Sequence, residues 1–132
     1  MAGMVKYSDM LALIDELKKQ GDVESIKMVG KFLDEISEFH LKASTAGMKT
    51  AMAKLYKELG ESDPVEDAKQ LVVKEFERIK GLSEEINALL EKNGVPCRFD
   101  FREEDTSELE VFMRQVKLLV TEMMEAFINR KR

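Results

Sequence analysis

The chain repeats apolar residues at intervals of three and four positions over most of its length. This spacing is the period of an amphipathic helix, in which such residues lie on one face. A glycine stands in each break of the pattern, and a proline follows it in the second and third breaks, as is typical of helix ends. The pattern predicts an all-α protein, an antiparallel bundle of about four helices at 8–20, 23–59, 64–93 and 107–129.

The continuity of the second helix depends on the residues in its middle. Ser44, Thr45 and Gly47 lower the helix propensity there, whereas the alanines around them raise it. We therefore predict one long helix over 23–59 that is either straight or bent near Gly47.

Between the third and fourth helices, the pattern changes to alternation over residues 95–102. Cys97, Phe99 and Phe101 fall on one side and charged residues on the other, which is the period of extended backbone. One short extended segment does not form a sheet by itself. We predict that the segment crosses the end of the bundle and places its two phenylalanines on the core. The alternative is pairing with the same segment of a second copy.

The fourth helix carries more apolar residues than a single buried face can hold. One set follows the heptad spacing of a core seam, and further apolar positions widen the surface well beyond that seam. An apolar surface of this width is rarely left exposed on a soluble monomer. We therefore predict a homodimer formed through the second and fourth helices, with an interface at Phe112, Met113, Val116, Val120, Met123, Met124 and Phe127.

Length and composition set the class of protein. With 132 residues, we predict a single helical-bundle domain over 1–132, with flexible ends at 1–6 and 130–132. Cys97 is the only cysteine, so an internal disulfide is excluded. The sequence shows neither a secretory signal pattern nor an apolar run of the roughly 20 residues that span a bilayer. These features predict a soluble, cytoplasmic protein with no membrane partner.

Residues that often carry catalysis form no recognisable motif. A di-iron bundle needs Glu-x-x-His, whereas the only histidine, His40, has Ser37 at that spacing. The glycine spacing of a phosphate-binding loop is missing from the sequence, and Cys97 lies in an apolar alternation that is typical of a buried, unreactive thiol. We predict no catalytic, metal-binding or cofactor-binding residues, and no cofactor.

Charge is unevenly distributed along a chain whose net charge is −5. Residues 39–57 contain four lysines and no acid, the last three residues are all basic, and residues 58–110 are strongly acidic. The simplest interpretation is that the basic parts face the acidic part, within one subunit or across a dimer. The alternative is contact with an anion or a nucleic acid through Lys42, Lys49, Lys54, Lys57, Arg130, Lys131 and Arg132.

These features favour a non-enzymatic interaction or assembly module that self-associates, with an unidentified protein as a further partner. A nucleic-acid-associated regulator that uses the basic segment and tail is the first alternative. A small helical-bundle enzyme without a recognisable motif is the second, because a helical bundle does not by itself entail a function.

Overall fold

A computed structural model describes residues 4–58 and 65–130 of the chain and, within them, the side chains of 4–44, 70 and 72–129. The predicted all-α bundle is confirmed. Its helices are α1 (Tyr7–Gln20), α2 (Val23–Glu58), α3 (Val65–Lys92) and α4 (Glu108–Arg130). Where the predicted helix ends fall within the described residues, they agree with these bounds to within one residue, whereas the ends predicted at 59 and 64 lie outside them. The helix α2 is continuous through position 47.

Local capping explains why the helices begin and end at these residues. Gly21 and Gly94 have φ angles of 68° and 72°, a left-handed conformation that glycine adopts without steric cost. Each lets the next residue, Asp22 or Val95, donate its N–H back to a carbonyl of the preceding helix, at 3.0 Å in both cases. At the start of α4, the Ser107 hydroxyl accepts a hydrogen bond of 3.2 Å from a backbone N–H of the first turn.

The helix α2 lies in the middle of the bundle and packs against the other three helices. A short turn at Gly21 joins it to α1, so the two helices are antiparallel. The helix α3 also runs antiparallel to α2, because the ion pairs that join them bring Glu35 to Arg78 and Lys42 to Glu75.

Six phenylalanines, drawn from α2, α3, α4 and the 95–102 segment, form one aromatic cluster in the core. Phe112 of α4 is at its centre, with ring centroids 4.8 Å from Phe39, 4.9 Å from Phe76 and 5.1 Å from Phe101. Most of these pairs meet edge to face, the arrangement that aromatic quadrupoles favour. The cluster thus joins three helices and the connecting segment through one set of contacts.

The 95–102 segment takes a different course from the predicted one. Its alternation and the burial of Phe99 and Phe101 are as expected. The segment does not cross the end of the bundle, however, because Phe99 lies beside Asn87 and Phe101 beside Phe76, farther back along α3. The Asn87 side chain accepts the Phe99 N–H at 2.6 Å and donates to the Phe99 carbonyl at 2.9 Å. These two hydrogen bonds satisfy backbone groups that have no strand partner.

A second amide holds the N-terminal residues in the same way. The buried side chain of Gln115 on α4 accepts the Val5 N–H at 2.8 Å and donates to the Val5 carbonyl at 2.7 Å. Val5, which lies in the stretch expected to be flexible, is fully buried.

Substituting Phe112 tests whether the aromatic cluster stabilises the fold. The Phe112→Ala change should lower the free energy of unfolding by about 3–5 kcal/mol, because it leaves a cavity that three helices border. Phe112→Leu keeps most of the volume and should cost less than about 2 kcal/mol. Urea unfolding followed by circular dichroism measures both. A loss below about 1 kcal/mol for the alanine variant would contradict a central role for this ring.

Candidate interaction surface

The helix α4 has two apolar faces, and the described part of the subunit buries one of them. The inner face packs on the core through Leu109, Phe112, Val116, Leu119 and Met123. Phe112 and Val116, both predicted at a dimer interface, are 1% exposed and belong to this inner face. Met123 and Val120 are partly buried at its edge.

The other face carries a row that we call the outer stripe, formed by the exposed residues Met113, Lys117, Met124, Phe127 and Ile128 and the partly buried Val120. From Met113 to Phe127 its members follow one another at three- and four-residue steps, and Ile128 lies four residues after Met124, so the helical period places them in line over about four turns. Met124 and Phe127 are each 60% exposed, Ile128 is 52% and Met113 is 40%. Three of the predicted interface residues, Met113, Met124 and Phe127, therefore lie together on the surface.

The outer stripe borders α2 along two shallow grooves. One, of about 230 Å³, lies between Ser37 of α2 and the end of the stripe from Val120 to Ile128. The other, of about 520 Å³, lies between the His40–Ser44 turn of α2 and the stripe residues Met113 and Lys117. The accessible surface therefore spans α2 and α4, the two helices on which the interface was predicted.

Ile128 was not among the predicted interface residues. Its signal in the sequence was its spacing, since it lies one turn beyond Met124 on the same face. The helical period places Ile128 on the same face as Met124. It does not show which of the two adjacent apolar faces of α4 is buried.

Of the residues predicted to contact an anion or nucleic acid, Lys42 is the one whose side chain is described. Its Nζ lies 3.7 Å from the Glu75 carboxylate of α3. Lys49, Lys54, Lys57, Arg130, Lys131 and Arg132 lie outside the described side chains. The position of Lys42 fits the interpretation that the basic segment faces the acidic one within the subunit.

An arginine reinforces this charged contact between α2 and α3. Arg78 of α3 donates hydrogen bonds to Glu35 of α2 and, at 2.6 Å, to Glu75. These bonds and the positive charge of Arg78 hold the pKa of Glu35 and of Glu75 below its usual value. Both carboxylates are therefore ionised at neutral pH and act as charged partners.

The groups that could support chemistry are few. The Cys97 thiol is partly buried, and its desolvation, together with the nearby negative charge of Asp9, raises the pKa of Cys97 to about 11. The thiolate is therefore scarce at neutral pH. Among the described side chains, no three or more histidine, cysteine, aspartate or glutamate groups come together where they could hold a metal ion.

Comparisons of the chain with protein-family models, with curated proteins and with solved structures found no match. Within residues 4–58 and 65–130, no helix has both the length and the apolar character needed to cross a lipid bilayer.

The Arg78 contacts predict a dependence of stability on pH. The folded state lowers the pKa of Glu35 and of Glu75. Their contribution to the free energy of unfolding is therefore present above the unfolded pKa of about 4.3 and is lost as the pH falls through the lower folded pKa values. Arg78→Met should destabilise the fold by about 1 kcal/mol at pH 7, and the difference from wild type should shrink towards pH 3.

Urea unfolding at both pH values measures this difference. Lys74→Met removes a charge from an exposed position on α3 and is the matched control. A stability difference between Arg78→Met and wild type that stays constant from pH 7 to pH 3 would contradict the pairing of Arg78 with Glu35 and Glu75.

The raised pKa of Cys97 predicts slow reaction with thiol reagents. At pH 8, the native thiol should react at least about tenfold more slowly than an exposed cysteine, whose pKa is about 8.5, because its smaller thiolate fraction outweighs the higher nucleophilicity of its thiolate. The Ala12→Cys change in a Cys97→Ala background supplies the exposed reference on α1, and stopped-flow absorbance measures both rates. Equal rates would mean that the folded protein does not shield Cys97.

Proposed function

We propose that the chain is a non-enzymatic interaction module that self-associates through the outer stripe of α4. The observation that carries this proposal is the alignment of four large, exposed apolar side chains, Met113, Met124, Phe127 and Ile128, on one face of one helix. Apolar side chains exposed singly are normal, whereas the largest apolar patch of a protein is often a functional one.

Among the described side chains, the other exposed apolar residues do not repeat along one helix. Met4 precedes α1, Leu11 lies on α1, Val23 and Leu41 lie on α2, and Val73 lies on α3. They serve as a contrast, because among these described residues only those of α4 repeat with the helical period over several turns.

The area of the outer stripe indicates that further residues take part in the proposed interface. A helix the length of α4 is about 35 Å long and offers a face about 10 Å wide, or roughly 350 Å². A stable interface buries about 800 Å² on each partner. The adjoining side chains of α2, such as Ser37 and His40, are therefore expected to contribute, which agrees with the grooves between α2 and α4.

Introducing a charge into the outer stripe tests the proposal. The native chain should show twice its subunit mass of 15.1 kDa by light scattering at micromolar concentration. Met124→Glu and Phe127→Glu should each raise the dimer dissociation constant at least about tenfold, because each places a carboxylate in an apolar contact.

Leu11→Glu makes the same change at an exposed apolar position of α1 and should leave the mass unchanged. Circular dichroism checks that the variants fold. A native mass of 15.1 kDa at all micromolar concentrations would refute self-association.

A further inference from the structure

The outer stripe carries charges of opposite sign on the two sides of its middle, Lys117 before it and Glu125 after it. Lys117 is a member of the stripe, and Arg114 lies beside it in the groove that also contains Met113. Towards the other end, the exposed acid Glu125 directly follows Met124. Glu110 lies in the same groove, and Arg114 is paired with Glu103 at 3.1 Å within the subunit, so Lys117 supplies the positive charge of this part of the stripe. The middle of the stripe, between Lys117 and Glu125, lies between Val120 and Thr121.

These charges distinguish between the two ways in which a pair of α4 helices can meet. A parallel pair places each stripe residue opposite its own copy, so two Lys117 side chains face each other within an apolar contact. An antiparallel pair centred between Val120 and Thr121 places Lys117 opposite Met124 and next to Glu125 of the other copy. Like charges in contact are unfavourable and opposite charges favourable, so the antiparallel arrangement is preferred.

We propose that the outer stripe docks on a second copy of the chain in antiparallel orientation, about a two-fold axis near Val120, with Lys117 paired to the partner's Glu125. This inference rests on the proposed self-association and adds its geometry. The interface is isologous, so each dimer contains the Lys117–Glu125 pair twice.

Charge reversal tests the pairing of Lys117 with Glu125. Lys117→Glu and Glu125→Lys should each raise the dimer dissociation constant about tenfold, because each replaces two attractive pairs with two repulsive ones. The double variant should return to within about threefold of wild type. The two residues are eight positions apart, or about 12 Å along one helix, so they do not pair within a copy. Sedimentation velocity measures all four proteins, and a double variant weaker than both single variants would overturn the proposal.

Cross-linking tests the orientation independently of charge. In a Cys97→Ala background, Thr121→Cys lies next to the proposed axis and should cross-link to its own copy with a short bis-maleimide. Met113→Cys should not do so, because two copies of position 113 are about 22 Å apart in the antiparallel pair. Mixed Met113→Cys and Ile128→Cys chains should cross-link to each other.

The outcomes separate this inference from the proposed function. A dimer in which Met113→Cys cross-links to its own copy refutes the antiparallel geometry and leaves self-association standing. A monomeric native chain refutes both. A dimer that Phe127→Glu leaves intact, without a cross-link at position 121, refutes the outer stripe as the contact surface.

Discussion

The two hydrogen bonds between Asn87 and the backbone of Phe99 are the contact on which the arrangement of the bundle depends. An extended segment lying on helices has no strand beside it, so its buried N–H and C=O groups need another partner. The amide of Asn87 supplies both a donor and an acceptor from one side chain. With Phe99 held in this way, Phe101 reaches Phe76 and Phe112, and the connection becomes part of the core.

The position of α4 follows from this return of the chain along α3. Because the connection runs back from the end of α3 towards its middle, α4 begins beside Lys80, which pairs with Glu108 in its first turn. From there, α4 packs mainly on α2 and directs one seam inward. The subunit has no fifth helix among its described residues to cover the opposite side. The outer stripe is therefore a consequence of the topology as well as of the apolar composition of α4.

The sequence predicted the helices well because the signals for them are local. Gly21 and Gly94 mark helix ends through backbone conformation, and the apolar period marks the buried faces. The same period could not decide between two adjacent apolar faces of α4, which is why Phe112 and Val116 were grouped with Met124. The apolar period also could not predict the roles of Asn87 and Gln115. Each amide binds the backbone of a residue distant in sequence, and such pairs leave no periodic pattern.

In the proposed dimer, Lys117 makes the outer stripe more selective than a plain apolar surface. A lysine in the row reduces the apolar area that association can bury, and it would be costly opposite another lysine. A polar or charged residue within an otherwise apolar seam typically sets orientation at some cost in affinity. The flanking methionines Met113 and Met124 adapt to different partner shapes and would not fix one orientation by themselves. In the proposed dimer, adaptable apolar side chains therefore supply the attraction, and the placement of Lys117 and Glu125 restricts it to one geometry.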